Sequence, residues 1–352
     1  MQQGIILSVD YHDRACVIRW FDPRTGKELV FSEVPTNPQA LLEVVAAARK
    51  ASGRRRVAWI QESTTGWARV NDLLGDRVDF QLVNVLQMPL PPKARSRKTD
   101  KTDTARIQRE HLSGRLPLSH QVPTRWRQVR RLVALRENLV ARRTALRNWI
   151  NRYLAHETWM DRTGLWTVAG QHLLQALVQQ LPATDAFIIT QKLEELRRIK
   201  EQLKAAVEEL LLVYQQCPEA QRLDAIPGIN IVAAVSIVAR IGPVGRFRSV
   251  DSLIAYAGLA PGIHESDQAR RDGHIGGGGT DRRLRHYLIE ATTYARRAPR
   301  YAGAYGRMRK RRGSRVARLV VARMLLRGIH KMLKEGVEFE ATPAAATATA
   351  GS

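Results

Sequence analysis

Residues 4–10, GIILSVD, form a short apolar run that ends on an acid. The runs that follow, ACVIRWF (15–21) and ELVFSEV (28–34), flank the turn-rich DPRTGK, so the three stretches predict antiparallel strands. Next, NPQALLEVVAAARKA (37–51) carries a capping residue and helical apolar spacing. RRVAWIQE (55–62) reads as a strand, GWARVNDLLG (66–75) as a helix and VDFQLVNV (78–85) as a strand again. Three antiparallel strands followed by alternating helix and strand predict helices packed on a mixed sheet, an α/β layer fold. The unit closes with the PLPP loop (89–92) and a helix opening at KTDKTDTARIQREHL (98–112).

With 352 residues and 44% hydrophobic content the chain can bury a substantial core, and its length suggests two or three domains. Lys and Arg number 57 against 33 Asp and Glu, a formal net charge of +24. That surplus is the electrostatic footprint of a nucleic-acid binder, since each cation that meets a phosphate releases condensed counterions. No apolar run reaches spanning length and no signal or lipidation motif is found, so no membrane is expected and the chain reads as soluble and intracellular. Cys16 and Cys217 stand too far apart to form a zinc motif or a disulfide framework.

Four acids merit joint consideration: Asp10 and Glu62 at predicted strand ends, and Asp100 and Asp103 three residues apart on a predicted helix. Residues at that helical spacing share a face, and sites in α/β sheets collect at the C-terminal strand ends. Four converging carboxylates repel one another unless a divalent cation relieves them, and all-oxygen donors suit Mg²⁺ or Mn²⁺ rather than zinc. Two such ions form the clamp of phosphodiester displacement, with neighbouring Lys98 and Lys101 placed to hold phosphate. The same TDKTDTAR stretch also suits a capped helix start whose aspartates interact with the macrodipole, and Asp10 and Glu62 also suit surface strand ends.

From about 124 to 215 the composition turns to long helices. Leu132, Leu139, Leu146 and Tyr153 recur at a heptad step, and Ile189, Leu193, Leu196, Leu203, Val207, Leu210 and Tyr214 form a second seam interrupted by Lys200. An antiparallel hairpin or coiled coil, acting as spacer or dimer contact, is expected. Residues 222–295 read as a helical, glycine-punctuated unit. Within it LDAIPGINIVAAVSIVARIG (223–242) resembles a helix-hairpin-helix whose Pro227-Gly228-Ile229 turn offers amides to phosphate, and an ordinary tight turn fits equally. Farther on, Ser266 sits in a predicted loop ahead of Arg270, Arg271 and glycines 276–279, with Arg282, Arg283 and Arg285 opening the next helix. Glycines allow close backbone approach to phosphate and arginines hold it bidentately. A loop serine is ordinarily a turn residue, and His264 is the one nearby candidate base. A basic helix, YGRMRKRRGSRVARLVVARMLLRGIHKMLKEG (305–336), and a low-complexity tail expected to be disordered end the chain.

Taken in order, SVDYHD, IQES, KTDKTDTARI, the helical middle, IPGI with RFRSVDSLIAYAGLAP, and ES…RRDGHI…RRLRHYLIEA resemble insertion-sequence transposases and Piv-type DNA invertases. The resemblance implies an RNase H/RuvC-like acidic-tetrad domain (1–120), a coiled-coil spacer (121–218), a C-terminal serine-bearing domain with the helix-hairpin-helix-like segment (219–338) and a tail (339–352). Asp10, Glu62, Asp100 and Asp103 would be the metal-binding tetrad, and Ser266 the nucleophile that forms a covalent phosphoserine link to DNA. A structured non-coding guide RNA, the bridge RNA, would pair with donor and target DNA. Composite sites shared between subunits imply a dimer that assembles to a tetramer, in a bacterial cytoplasm at the nucleoid. Two departures stand out: Asp267 occupies a position where the family commonly has glycine, and GGGG stands where it has an SK-type sequence. A junction nuclease using water, or a non-catalytic nucleic-acid scaffold, are the competing expectations. Ser249 and Ser252 read as helix-start caps instead.

Overall fold

The computed structural model describes residues 4–53, 55–84, 87–88, 100–158, 161–260, 262–266, 269–273 and 279–339, with backbone alone at 100, 101, 262–266 and 269–273. The chain divides into two compact units, Met1–Thr124 and Arg125–Ser352.

In the first unit, β1 (Ile6–Tyr11), β2 (Ala15–Asp22) and β3 (Lys27–Pro35) pair antiparallel in sequence order, as the hairpin pattern predicts. Helix α1 (Pro38–Ser52) opens on Asn37, whose side chain accepts from the Ala40 amide at 2.9 Å, and carries Pro38 in its first turn, where a missing N–H costs nothing. It leads to β4 (Ala58–Glu62), which lies parallel to β1; α2 (Trp67–Leu74) then leads to β5 (Asp79–Val83), parallel to β4. The sheet order is β3-β2-β1-β4-β5. The last element, α3, spans Asp100–Leu112. Strand alternation divides the apolar residues between two faces. Leu7, Val9 and Trp59 pack with Leu41, Val45, Val70 and Leu74 of α1 and α2, while Ile6, Ala58, Ile60 and Val83 pack with Ile107 of α3. Helices therefore cover both faces of the central strands, which explains why IILSV and VAWI read as near-continuous apolar runs.

The second unit is built on two long helices, α4 (Thr124–Glu157) and α6 (Ala183–Gln215), with α5 (Val168–Val178) between them. They run antiparallel within the chain: the Tyr153 hydroxyl, late in α4, donates to Asp185 at 2.6 Å, early in α6, and the Arg125 guanidinium donates to the Gln216 carbonyl at 3.0 Å. Their shared core is Leu139, Leu146, Ile150, Leu154, Ile189, Leu196, Ile199, Leu203 and Ala206. Val207, assigned to the seam by heptad counting, is 41% exposed, and Ile199 and Ala206 take the buried positions instead. A straight helix drifts about 20° per heptad from a 3.5-residue repeat, so over this length the buried stripe moves onto neighbouring positions.

Helices α7 (Pro218–Asp224), α8 (Ile231–Ile241), α9 (Val250–Tyr256), α10 (Arg282–Ala295) and α11 (Pro299–Glu335) enclose the largest core, centred on α8, which is buried nearly all round. A two-stranded hairpin, β6 (Gly262–Ser266) with β7 (Ala269–Gly273), interrupts a region the sequence reads as helical. Gly313 breaks α11 with φ 81° and ψ 169°, backbone that essentially only glycine adopts. Beyond it Ala317, Val321, Leu325, Ile329 and Met332 are core residues, so the C-terminal half of the basic helix is a structural element of this unit. The expected tail lies, from residue 340 onward, outside the described residues. Among the described residues no helix is long and apolar enough to cross a membrane.

Two outcomes follow. Gly228, in the turn between α7 and α8, has φ 91°, and a Cβ there would stand 2.4 Å from the Ala291 carbonyl oxygen of α10. Gly228→Ala should therefore destabilise the fold by about 2–4 kcal/mol, read as a lowered urea midpoint, and an unchanged midpoint would refute this seating of α10. Cys16 and Cys217 are fully buried, and burial pushes both thiols up. Both should resist Ellman's reagent in the native chain and react on denaturation.

Candidate active site

The parallel ladder of β1 and β4 ends at Val9↔Gln61, and the next residue on each strand is Asp10 and Glu62. Alternation puts Asp10 with Ile6 and Ser8, and Glu62 with Ala58 and Ile60, on the sheet face that α3 covers. Two contacts seat α3 on this face. Ile107 shares a buried cluster with Ile6, Ala58, Ile60 and Val83, and the buried Thr104 hydroxyl accepts from Arg19 Nε at 3.4 Å, Arg19 being paired with Ser8. The helix that begins at Asp100 and carries the half-buried Asp103 therefore packs on the sheet face to which alternation assigns Asp10 and Glu62.

Polar contacts shape this edge. Asp10 is 14% exposed and lies 3.4 Å from His12 Nε2. Arg19, nearly buried, bonds Glu28 and places its guanidinium 5.2 Å from the Phe31 ring centre, and it braces α3 through Thr104. Tyr11 accepts from Arg69 at 2.8 Å, and Arg69 also pairs with Asp13 at 2.9 Å. Among the described residues no three His, Cys, Asp or Glu side chains stand close enough to hold a metal ion. The side chain of Asp100 is outside the described set, as is that of Lys101; Lys98 lies outside it altogether. The chemistry of the donors, carboxylates alone, fits a hard cation such as Mg²⁺ or Mn²⁺.

In the second unit Ser266 is the last residue of β6 and pairs with Ala269, while Arg270 and Arg271 pair with Glu265 and His264. Ser266 thus ends a strand, where the sequence suggested a loop. Ser249 and Ser252 form a capping box at the start of α9, as their positions indicated. Gly279 and the first residues of α10 are described; residues 274–278 are not. The three arginines of α10 differ. Arg283 pairs with Glu137 of α4 at 2.9 Å, a carboxylate that also accepts from Tyr287 at 2.9 Å, so Arg283 joins two helices. Arg282 and Arg285 line an open groove. The sequence reading missed Asp281, the N-cap of α10, which accepts from the amides of Arg283 and Leu284 and forms a buried pair with Arg240 at 3.0 Å. An Asp ahead of RRLRHYLIEA is an N-cap signal that was available. At Gly228 both the positive φ and the close approach of the Ala291 carbonyl of α10 call for glycine.

Comparison with known proteins gives two family matches in chain order. The family described as "Transposase", the IS110 type with an Asp-Glu-Asp-Asp domain, matches residues 8–157, and the "Transposase IS116/IS110/IS902 family" matches residues 220–322. The chain is also similar to the transposase for insertion sequence element IS1111A of Coxiella burnetii, 26% identical over 208 residues, which are 57% of this chain and 54% of that protein. A Sinorhizobium fredii protein with a transposase name, y4pF/y4sB, is 26% identical over 221 residues, 59% of this chain and 55% of its own. The chain spans about half the length of these curated relatives. With an N-terminal α/β sheet unit under the first match and a helical unit under the second, the chain belongs to the IS110 family of insertion-sequence transposases.

Proposed function

We propose that the chain cleaves and rejoins DNA strands as the transposase of an insertion sequence, with Ser266 as nucleophile and a structured non-coding bridge RNA as guide to donor and target DNA. The observation that supports this reading is that α3, the helix of Asp100 and Asp103, packs on the sheet face to which strand alternation assigns Asp10 and Glu62, within the segment matched by the acidic-domain family. Asp10, Glu62, Asp100 and Asp103 would hold Mg²⁺ or Mn²⁺, which when bound offsets charge on the scissile phosphate. Ser266 Oγ forms a bond to phosphorus as the bond to the departing sugar oxygen breaks, and the serine proton is taken up by a base or solvent. Rejoining reverses this: a sugar hydroxyl attacks the phosphoserine, and Ser266 leaves with its proton restored. One phosphodiester bond is exchanged for another of similar energy, so no external energy source is required. Lys98, Lys101, Arg270, Arg271, Arg282 and Arg285 would hold nucleic-acid phosphates, a role consistent with the +24 charge. A dimer assembling to a tetramer on DNA would bring the tetrad of one subunit to the serine of another.

In a trapping assay with Mg²⁺, the element's RNA and end-labelled donor DNA, label should remain on the wild-type protein in a denaturing gel. Ser266→Ala and Asp103→Asn should each reduce adduct by about three orders of magnitude or more. Cleaved DNA without attached protein, undiminished in Ser266→Ala, would indicate hydrolysis by water instead. Mixing the two inactive variants should restore part of the adduct if the composite site spans subunits; no restoration with both chains confirmed in one oligomer would place all five residues in one chain.

A further inference from the structure

Between α10 and the segment of α11 that follows Gly313 lies an open groove of about 580 Å³. One wall is a row on α10, Arg282, Arg285 and His286, and the other a row on α11, Arg315 and Arg318. The rows follow helical spacing, so each presents its cations along a single helix face, with Cβ atoms about 5–6 Å apart. Ile289 and Leu319 are its apolar lining, and among the described residues no carboxylate belongs to the lining. Glu290, 63% exposed, lies 3.9 Å from Arg318.

The groove is built on fixed supports. Arg318 donates to the Thr292 hydroxyl at 3.0 Å and to the Ile289 carbonyl at 2.9 Å, tying one wall to the other, and Arg285 donates to the Gly258 carbonyl at 3.4 Å. The break at Gly313 gives residues 314–335 their own axis beside α10, so Arg315 belongs to this groove and not to the first half of the helix. Elsewhere in this unit arginines at helix joints meet acids: Arg240 meets Asp281, and Arg283, the neighbour of Arg282, meets Glu137. Arg282 and Arg315 are exposed and make no ion pair with a described carboxylate. Arg282 and Arg315, like charges on the two walls with no described carboxylate paired to either, call for a polyanion, and an open groove lined from two helices suits a phosphodiester backbone.

We propose that this groove binds the phosphate backbone of the DNA on which the transposase acts, with Arg282 and Arg315 as the phosphate contacts on opposite walls. The proposal rests on the DNA-acting reading above and adds a surface to it: it selects Arg282 and Arg285 over Arg283 and brings in Arg315, Arg318 and His286, which sequence reasoning did not mark. Contacts of this kind orient the duplex and carry no base specificity.

The test is equilibrium binding of the full chain to a labelled DNA duplex and, separately, to a labelled RNA hairpin across a salt series. Three proteins are compared: wild type, Arg282→Gln/Arg315→Gln, and Arg142→Gln/Arg152→Gln, which removes equal charge from exposed positions on α4. All substituted positions are exposed, and thermal melting monitored by circular dichroism checks that each variant folds. The groove variant should bind DNA more weakly, with the slope of log K against log salt shallower by about 2, while the α4 variant changes less. An unchanged slope, an equal loss in the α4 variant, or a loss confined to the RNA hairpin would overturn the proposal. Binding is read without strand cleavage, so failure here leaves the phosphoserine assay standing, and failure of that assay leaves the groove standing.

Discussion

Parallel pairing of β1 with β4 is the constraint on which the candidate chemistry depends. Parallel strands need a crossover, supplied here by β2, β3 and α1, and their covered faces demand apolar residues nearly throughout. Asp10 and Glu62 are the residues that follow the last pair of the β1–β4 ladder. Because the strands point the same way, both acids fall at one edge; antiparallel pairing would have sent them to opposite edges. Helix α3 answers the same constraint from above: Ile107 joins the cluster of Ile6, Ala58, Ile60 and Val83, and Thr104 meets Arg19, so the helix of Asp100 and Asp103 covers that face.

The helical unit is held by a different principle. Its core is large and apolar, yet its joints are polar and specific: Tyr153 with Asp185, Tyr287 and Arg283 with Glu137, and Asp281 with Arg240 and Tyr256. Apolar stripes on long helices allow several axial offsets of similar energy, whereas a hydrogen-bonded pair fits only one. The hydrogen bond to Asp185 also raises the Tyr153 hydroxyl to about 12, so it remains a donor across the physiological range.

Much of the first unit was legible because its signals are local. Alternation, turn residues and the Asn37-Pro38 helix start lie within a few residues of the elements they specify, and all three antiparallel strands and both parallel ones appear as read. Three features of the second unit were less legible, each for a physical reason. The buried stripe of α6 drifts off a strict heptad, so Val207 is exposed and Ala206 buried. The β6–β7 hairpin, GIHES and ARRDG, has little apolar alternation to announce strands; its pairing is a backbone property. A single glycine in a basic run also gives no sign of breaking α11, since an isolated helical glycine is commonly tolerated. At the candidate site, sequence placed the acids on the elements that carry them but could not give the seating of α3 on the sheet, which involves a contact between Arg19 and Thr104 across 85 residues.

The net charge of +24 needs the same division between local and tertiary roles. Counted along the sequence, every arginine looks like a phosphate contact. In the fold, two of them satisfy a helix end instead: Arg130 donates to the Ala239 and Arg240 carbonyls at 2.8 and 2.9 Å, and Arg246 to the Ile241 carbonyl at 2.8 Å, with the Tyr256 hydroxyl joining them at the Arg240 carbonyl at 3.3 Å. These carbonyls close α8, whose last turn leaves acceptors without intrahelical donors. Guanidinium groups suit this task because their planar fork reaches two acceptors at once and their charge favours a helix C-terminus. Burial pushes Arg130 down from its ordinary value, yet arginine stays protonated well above neutrality, so the bond persists where a lysine would be more easily neutralised. The arginines available to nucleic acid are therefore a subset, selected by which helix ends and carboxylates have already claimed the others, and the groove between α10 and α11 is where two of the unclaimed ones face each other.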